Sequence, residues 1–282
     1  VLFITQDRGR EKAFLMEHGF ACAPHRLVRS RDELDAAVAA LGLPAVLKTA
    51  AFGYDGKGQM KLTSLDDVGQ AWATLGEGPN GPSACVLEAW IEFDCEISVV
   101  AARGLDESTR AFAPSRNAHA NHILDVSSVP AGLPDPVIDA ATDTAVRILT
   151  ALGVVGVACV EFFVTKDGRV LVNEIAPRTH NSGHLTIEAC ETSQFEQQVR
   201  AVCGLSLGST AIRAPAAMAN ILGDCWGKDP AGAPHEPDWA AALGVPGVSL
   251  HLYGKSEPRK GRKMGHLTAT ATTTAEAIER VT

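Results

Sequence analysis

Glu161 and Glu174 lie on either side of an Asp167-Gly168 pair, in the stretch VGVACVEFFVTKDGRVLVNE from Val155 to Glu174. On one side Val155, Val157, Cys159, Glu161 and Phe163 alternate with their neighbours, and on the other Val170, Val172 and Glu174 repeat the period. Asp-Gly between two alternating apolar runs predicts a hairpin, because both central positions of a type I′ turn require positive φ. With 167 and 168 as the loop, Lys166 faces Arg169, Phe163 faces Val172 and Glu161 faces Glu174. Two carboxylates with Cβ atoms about 5 Å apart repel unless a cation lies between them. Mg2+ takes hard oxygen ligands, commonly one or two carboxylates plus substrate phosphates, and Asn173 offers a neutral oxygen beside them. The ordinary alternative is two solvated glutamates on an exposed strand face, and the hairpin alone does not choose between the two.

A second chemical stretch begins at Lys48, set in the short apolar strand of 45–49 and leading into FGYDGKGQ, residues 52–59. This is not a Walker A sequence, and a strand follows it where a P-loop would open a helix. Its glycines let backbone N–H groups approach phosphate oxygens, Lys48 and Lys57 add charge, and the loop can close as a lid. A glycine-rich hairpin turn is more often only a turn, but a lysine inside an apolar strand calls for an anionic partner. Further on, Glu88-Ala89-Trp90-Ile91 stands where an apolar strand meets a bend. Such a bend can offer adenine a backbone donor and acceptor, with Glu96 reaching the ribose hydroxyls; taken alone, this signal is weak.

The elements that must hold these residues alternate helix and strand. Gln6 to His18 has helical composition closed by Gly19, and Ser30-x-x-Glu33 is a capping box for a helix ending near Gly42. Strands are expected at 45–49, 59–62, 85–90 and 96–102, with a helix at 64–75. Residues 109–121 read as strand and loop, and 134–152 as a long amphipathic helix before the acidic hairpin. The polar loop RTHNSGH, 178–184, enters a helix expected to run to about Cys203. Strands at 215–222, 248–253 and 263–269 and a helix-like end at 275–281 complete the pattern. No internal repeat or low-complexity region interrupts it.

The 282 residues suffice for two domains, and 46% hydrophobic with 21% charged residues is ordinary globular composition. A net charge of −8 argues against a nucleic-acid surface, so an anionic ligand must be met by a local basic cluster. The seven cysteines include no C-x-x-C pair and sit mostly in apolar runs, which reads as reduced, cytoplasmic and without structural zinc. His180 and His184 are spaced as a zinc pair would be, but no third ligand is evident. No signal peptide and no apolar run of transmembrane length is visible.

Strand lysine, glycine-rich lid, E-x-W-I, Glu96 and two metal glutamates, in that order, resemble the ATP-grasp superfamily. Among its members the chain is most similar to the 5-(carboxyamino)imidazole ribonucleotide synthases of purine biosynthesis. The closer match rests on Gln6-Asp7-Arg8, on Phe52 to Gln59, on Asn173-Glu174-Ile175-Ala176-Pro177-Arg178, on His180 to His184 and on Gly261-Arg262-Lys263-Met264-Gly265-His266. These span nearly the whole chain, and GYDGKGQ with HNSGH is the specific combination.

The resemblance implies an α/β (α+β) ATP-grasp fold, a small β-rich lid lobe packed on a larger mixed-sheet lobe. It divides the chain into linker helices at 1–43, a lid subdomain at 44–105 and a C-terminal lobe at 106–282. It implies that Arg8, Lys48, Gly53, Tyr54, Asp55, Gly56, Lys57, Gly58, Gln59, Glu88, Ala89, Trp90, Ile91, Glu96 and His119 bind ATP, and that Asn173 joins Glu161 and Glu174 around Mg2+ and the nucleotide phosphates. Tyr54, Asp55, Lys57, Arg178, His180, Asn181 and Lys263 would line the site for bicarbonate and aminoimidazole ribonucleotide, and Lys255, Arg259, Lys260 and Arg262 would add charge for the ribose phosphate. The implied reaction is ATP-dependent carboxylation of the ribonucleotide through carboxyphosphate, in a cytoplasmic enzyme with small-molecule partners only, no nucleic acid or membrane, and a homodimer admitted. Another ATP-grasp ligase, such as a formate-dependent glycinamide ribonucleotide formyltransferase or a biotin carboxylase, is the nearest alternative. Members of the family carry a Rossmann-like domain ahead of the position of Val1. A chain without it would be expected to hold nucleotide with activity in doubt, or to be a catalytically silent nucleotide-binding piece.

Overall fold

The computed structural model describes residues 1–51, 58–78, 81–228, 232 and 234–282. By its internal contacts the chain forms two compact units, one of Val1–Glu96, Ala151–Gly153 and Val160–Pro177, the other of Ile97–Thr150, Val154–Cys159 and Arg178–Thr282.

In the first unit a four-stranded antiparallel sheet has the spatial order His25–Val28, Cys85–Ala89, Ala45–Thr49, Gln59–Leu62. Helix Arg31–Leu41 starts as the capping box predicts, with the Ser30 hydroxyl accepting from the Glu33 N–H and the Glu33 carboxylate accepting from the Arg29 N–H. Leu34 and Val38 of that helix, Val68 and Trp72 of the next, and Leu47, Leu62 and Leu87 of the sheet form one apolar core on a single face. The 64–75 helix is helical only over Asp66–Ala71 and continues as a π-turn over Trp72–Gly76. Helix Arg8–Glu17, capped by Asp7, buries Glu11, Lys12, Phe14 and Leu15. The hairpin strands Gly156–Thr165 and Val170–Ala176 are neighbours, and the first from Val160 on and the whole of the second belong to this unit. On its other side the second hairpin strand meets Ala21–Cys22, where the Val172 N–H donates to the Ala21 carbonyl at 2.8 Å.

The second unit is an antiparallel run whose order is Ser115–Ala120, Ile123–Val129, Ala216–Leu222, Lys263–Thr270, Val248–Leu252. Strand Ile123–Val129 lacks clean alternation and is absent from the sequence expectation; it is paired on both sides, and its Val126, Ser127, Ser128 and Val129 are all buried. Helix Asp135–Ala151 buries Val137, Ala141, Ala145, Ile148 and Leu149. The helix expected from the 178–184 loop to Cys203 is broken. A 3-10 turn at Asn181–Gly183 and a short helix Thr186–Ala189 end at Cys190, which is extended and bridges to Ile212; Ser193 then caps a new helix, Gln194–Val202, by accepting from the Glu196 N–H. Ser193-x-x-Glu196 is the same start signal as Ser30-x-x-Glu33.

Candidate active site

Register alone brings the first charged groups together. Val46 pairs with Glu88 and Lys48 with Val86, so Lys48 and Glu88 are diagonal neighbours on one face of the sheet, opposite the apolar core. Lys48 Nζ donates to Glu88 Oε2 at 2.9 Å, and Lys12 Nζ lies 3.6 Å from Glu88 Oε1. All three side chains are buried. Burial pushes the Glu88 carboxyl up, but the ammoniums of Lys12 and Lys48 outweigh it and hold the group at about 2. The anionic partner that a strand lysine requires is therefore internal. Gln59 stands directly across from Lys48 on the neighbouring strand, and the Gly58 carbonyl accepts from the Thr49 N–H.

The acidic hairpin differs from its expected turn. The Thr165 N–H donates to the Arg169 carbonyl and the Gly168 N–H to the Thr165 carbonyl, closing a three-residue loop with Gly168 at φ +81°. This is a type I turn followed by a left-handed glycine rather than a two-residue type I′ turn. Thr165 selects it, since its hydroxyl also accepts from the Arg169 N–H at 3.0 Å. The one-residue difference shifts the pairing at the turn, so the face-to-face Glu161–Glu174 pair derived from a two-residue loop does not follow. What the structure assembles instead is a trio. Glu96 and Glu161 carboxylate oxygens lie within 4.8 Å of each other, and the Glu96 carboxyl is raised to about 7 by burial and then by the charges of Glu161 and Glu174. Glu96, expected at the ribose, thus stands near Glu161 and Glu174, the carboxylates expected at a metal.

Three residues on one face of helix Arg8–Glu17 hold the tripeptide 173–175. Lys12 Nζ donates to the Asn173 carbonyl at 2.8 Å, Glu11 Oε2 accepts from the Ile175 N–H at 3.0 Å, and Arg8 Nη1 donates to Glu174 Oε2 at 3.1 Å. Positions i, i+3 and i+4 share a helix face, which is why one helix turn can grip both backbone flanks and the side chain of Glu174. Burial and neighbouring Glu174 raise the Glu11 carboxyl to about 8 against the pull of Lys12. A cavity of about 160 Å3 lined by Thr5, Gln6, Arg8, Glu11, Ala50, Glu174 and Ile175 opens here. Asn173 Oδ1 is buried without a hydrogen-bond partner. Carboxylates and an unpartnered amide oxygen are donors of the hard-oxygen kind that Mg2+ takes.

The remaining nucleotide candidates are placed as follows. The Ala89 N–H donates to the Pro24 carbonyl and the Trp90 N–H to the Pro44 carbonyl, so neither of these N–H groups is available to a purine. Glu88 contributes its buried side chain rather than an exposed edge, because its strand is paired on both sides. Trp90 is partly exposed, with Lys61 Nζ 3.6 Å from its ring centroid. His119 is exposed on Ser115–Ala120 in the second unit. Gly53, Tyr54, Asp55, Gly56 and Lys57 lie outside the described residues.

In the second unit the loop 178–184 lies over a row of cross-strand partners, Asn220, His266 and His251, from three adjacent strands. Asn181 and Asn220 exchange both amide hydrogen bonds, at 2.9 and 2.7 Å. The Gln194 side chain accepts from the His180 N–H, donates to the His180 carbonyl and meets His184 Nδ1 at 3.0 Å. Its neighbour Gly183 has no room for a Cβ, which would fall 2.7 Å from Gln194 Oε1. Burial and then the charges of His180, Lys263, His251 and Arg178 lower His184 to about 4. The charges of candidate residues Lys263 and Arg178 are thus felt at His184. Arg178 is exposed and Lys263 half-buried, whereas Arg259 is paired with Glu257 and Arg262 donates to the Glu257 carbonyl, so part of the expected basic cluster is neutralised internally. Glu11, Lys12, Gln194 and Asn220 were not legible as site residues. Gln194 was hidden in what read as an uninterrupted helix, and Glu11 and Lys12 in an ordinary amphipathic one.

Residues 13–195 match the model of the ATP-grasp domain, and residues 216–280 that of the phosphoribosylaminoimidazole carboxylase C-terminal domain. The N5-carboxyaminoimidazole ribonucleotide synthase of Bacillus subtilis (strain 168) is 43% identical over 282 residues, covering 100% of this chain and 70% of the relative. The chain belongs to the N5-carboxyaminoimidazole ribonucleotide synthase family. A family member solved as its ADP complex superposes with a TM-score of 0.89 at 39% identity, covering 99% of this chain and 70% of that one. The Aspergillus clavatus synthase, solved with ADP and 5-aminoimidazole ribonucleotide, gives 0.87 at 30% identity over 99% of this chain and 72% of that one. No helix among the described residues is long and apolar enough to cross a membrane.

Proposed function

We propose that the chain carboxylates 5-aminoimidazole ribonucleotide with bicarbonate at the expense of ATP, giving 5-(carboxyamino)imidazole ribonucleotide, ADP and phosphate by way of carboxyphosphate, in the cytoplasm. The observation that carries this reading is the gathering of the Glu96, Glu161 and Glu174 carboxylates in a chain of this family, with Asn173, next to Glu174 in sequence, keeping its Oδ1 without a hydrogen-bond partner. Glu161, Glu174 and Asn173 would hold Mg2+, with Glu96 at its edge or on the ribose; bound there, the metal supplies charge neutralisation for the transferred phosphoryl group. Arg8, half-buried beside Glu174, binds phosphate oxygens, and Lys48, held in place by Glu88, does the same from the strand. Residues 44–105 act as the lid subdomain, with Tyr54, Asp55 and Lys57 closing over the reactants. Arg178, His180, Asn181 and Lys263 receive bicarbonate and the ribonucleotide, the charges of Arg178 and Lys263 favouring an anion that becomes more highly charged as it is phosphorylated. The two units would work in one chain, with a homodimer as the assembly.

The test is phosphate release from Mg2+-ATP and bicarbonate, with and without aminoimidazole ribonucleotide. Stimulation by the ribonucleotide is expected. Release that follows formate instead of bicarbonate would reassign the acceptor chemistry.

A further inference from the structure

Behind His180 runs a line of buried hydroxyls and one amide. Ser127 Oγ donates to Asn117 Oδ1 at 2.7 Å, and Asn117 Nδ2 donates to Ser98 Oγ at 3.0 Å. Ser98 Oγ lies 2.6 Å from Ser182 Oγ, and Ser182 Oγ lies 2.8 Å from His180 Nδ1. Ser98, Asn117, Ser127 and Ser182 are at most 8% exposed. All of these residues belong to the second unit.

The proton order in this line is fixed by its one amide. Nδ2 of an asparagine can only donate, so Ser98 accepts there and has its single proton left for Ser182. Ser182, having accepted, directs its own proton to His180 Nδ1. An independent donor points to the same atom, since the Ser182 backbone N–H approaches His180 Nδ1 at 3.4 Å. The opposite order would set Nδ1–H against that backbone N–H and leave the Ser98 proton buried without an acceptor.

We infer that Ser127, Asn117, Ser98 and Ser182 form a one-directional hydrogen-bond relay that holds His180 as the neutral Nε2–H tautomer, so that the ring offers its substrate a hydrogen-bond donor and not a base. The ligand this suits is an oxyanion, bicarbonate or its phosphorylated form, which accepts from Nε2–H. The four residues position His180 and do not themselves touch the reactants. The role at bicarbonate rests on the functional reading above; the tautomer does not.

Asn117→Asp tests the direction. A carboxylate at 117 accepts from both Ser127 and Ser98, which turns the Ser98 proton around, makes Ser98 accept from Ser182 and leaves Ser182 accepting from Nδ1–H. Two-bond 15N–1H correlation spectra of the full chain with labelled histidine, at neutral pH, read the outcome for His180. The wild type is expected to show Nε2 protonated in at least tenfold excess, and Asn117→Asp to show Nδ1 protonated. A wild-type ring protonated at Nδ1 overturns the relay, and this arm stands even if the variant fails to fold. A folded Asn117→Asp protein with the wild-type tautomer overturns it as well. Steady-state kinetics then separates the two claims. A rise of tenfold or more in the KM for bicarbonate with a smaller change in that for ATP places the donor at the oxyanion. A reversed tautomer with unchanged bicarbonate KM keeps the relay and removes His180 from the bicarbonate site.

Discussion

Replacing Glu88 with Gln should cost this protein a large part of its stability although it deletes only a charge. The Glu88 side chain is 4% exposed, and it neutralises Lys48 at 2.9 Å and Lys12 at 3.6 Å, whose side chains are themselves 9% and 1% exposed. Two routes give the magnitude. Held at about 2 in place of its ordinary 4.5, the Glu88 carboxyl contributes on the order of 3 kcal/mol to the folded state at neutral pH, at about 1.4 kcal/mol per tenfold change. Breaking a buried ion pair by removing one partner costs about 3–5 kcal/mol, because the other charge is left uncompensated. The sign follows from linkage. The folded carboxyl is depressed, so its contribution is present above pH 4.5 and is lost as pH falls from there through 2. Urea unfolding at pH 7 should show Glu88→Gln less stable by about 3–5 kcal/mol, and the wild-type loss of stability below pH 4.5 should be blunted in the variant. Lys48→Met in the same chain should recover part of the loss, a coupling of at least about 1.5 kcal/mol, since Lys12 alone still has the Asn173 carbonyl. A Glu88→Gln cost below about 1 kcal/mol, or strict additivity with Lys48→Met, would refute the ion-pair reasoning.

Three further outcomes follow from the same geometry. Glu174→Gln should weaken Mg2+-ADP binding tenfold or more by titration calorimetry, while changing apo stability by less than about 1 kcal/mol, because Arg8 at 3.1 Å already offsets the carboxylate repulsion; loss of stability with Mg2+ dependence intact would remove Glu174 from the metal. Gly183→Ala should push Gln194 off the His180 backbone, costing about 1–3 kcal/mol and a larger share of kcat, and unchanged turnover would show that Gln194 does not hold the loop. His266, 2% exposed, is lowered to about 3 by burial and then by His184 and His251, so its contribution is present above pH 6.5 and lost as pH falls from there toward 3. Between pH 6.5 and 5 that amounts to about 2 kcal/mol, which His266→Gln should abolish in urea midpoints measured across the range; parallel pH profiles would contradict it.

What the sequence carried was the part of the fold governed by local chemistry. Ser30-x-x-Glu33 set a helix start, alternation set the hairpin strands, and Lys48 in an apolar strand announced a buried anion whose identity, Glu88, emerges only from the diagonal register of two strands far apart in the chain. Where the reading went astray, a side chain competed with the backbone rule. Thr165 took the Arg169 N–H and converted a two-residue turn into three, and Ser193 restarted a helix that periodicity alone would have continued. Neither competition shows in hydrophobic patterning, since both are settled by single hydrogen bonds.

Three of the four residues invisible to sequence reading share a different property: they act on backbone. Glu11 and Lys12 grip the peptide groups on either side of Glu174, and Gln194 grips both the N–H and the carbonyl of His180. A motif names side chains that face a ligand, whereas the atoms held here belong to the motif's own main chain. Burying a lysine and a glutamate to do this is costly, and their partners offset part of the cost: Lys12 serves the Glu88 carboxylate and the Asn173 carbonyl with one ammonium, and Glu11 feels that same ammonium while its Oε2 accepts from Ile175 and its Oε1 is left without a partner. The same helix face presents Arg8 to the Glu174 side chain. A carboxylate whose backbone is clamped on both sides and whose charge is already matched keeps its place with no cation bound. If Glu174 holds the metal as proposed, it would trade the Arg8 guanidinium for it with its backbone already held, which is the preorganisation phosphoryl transfer demands.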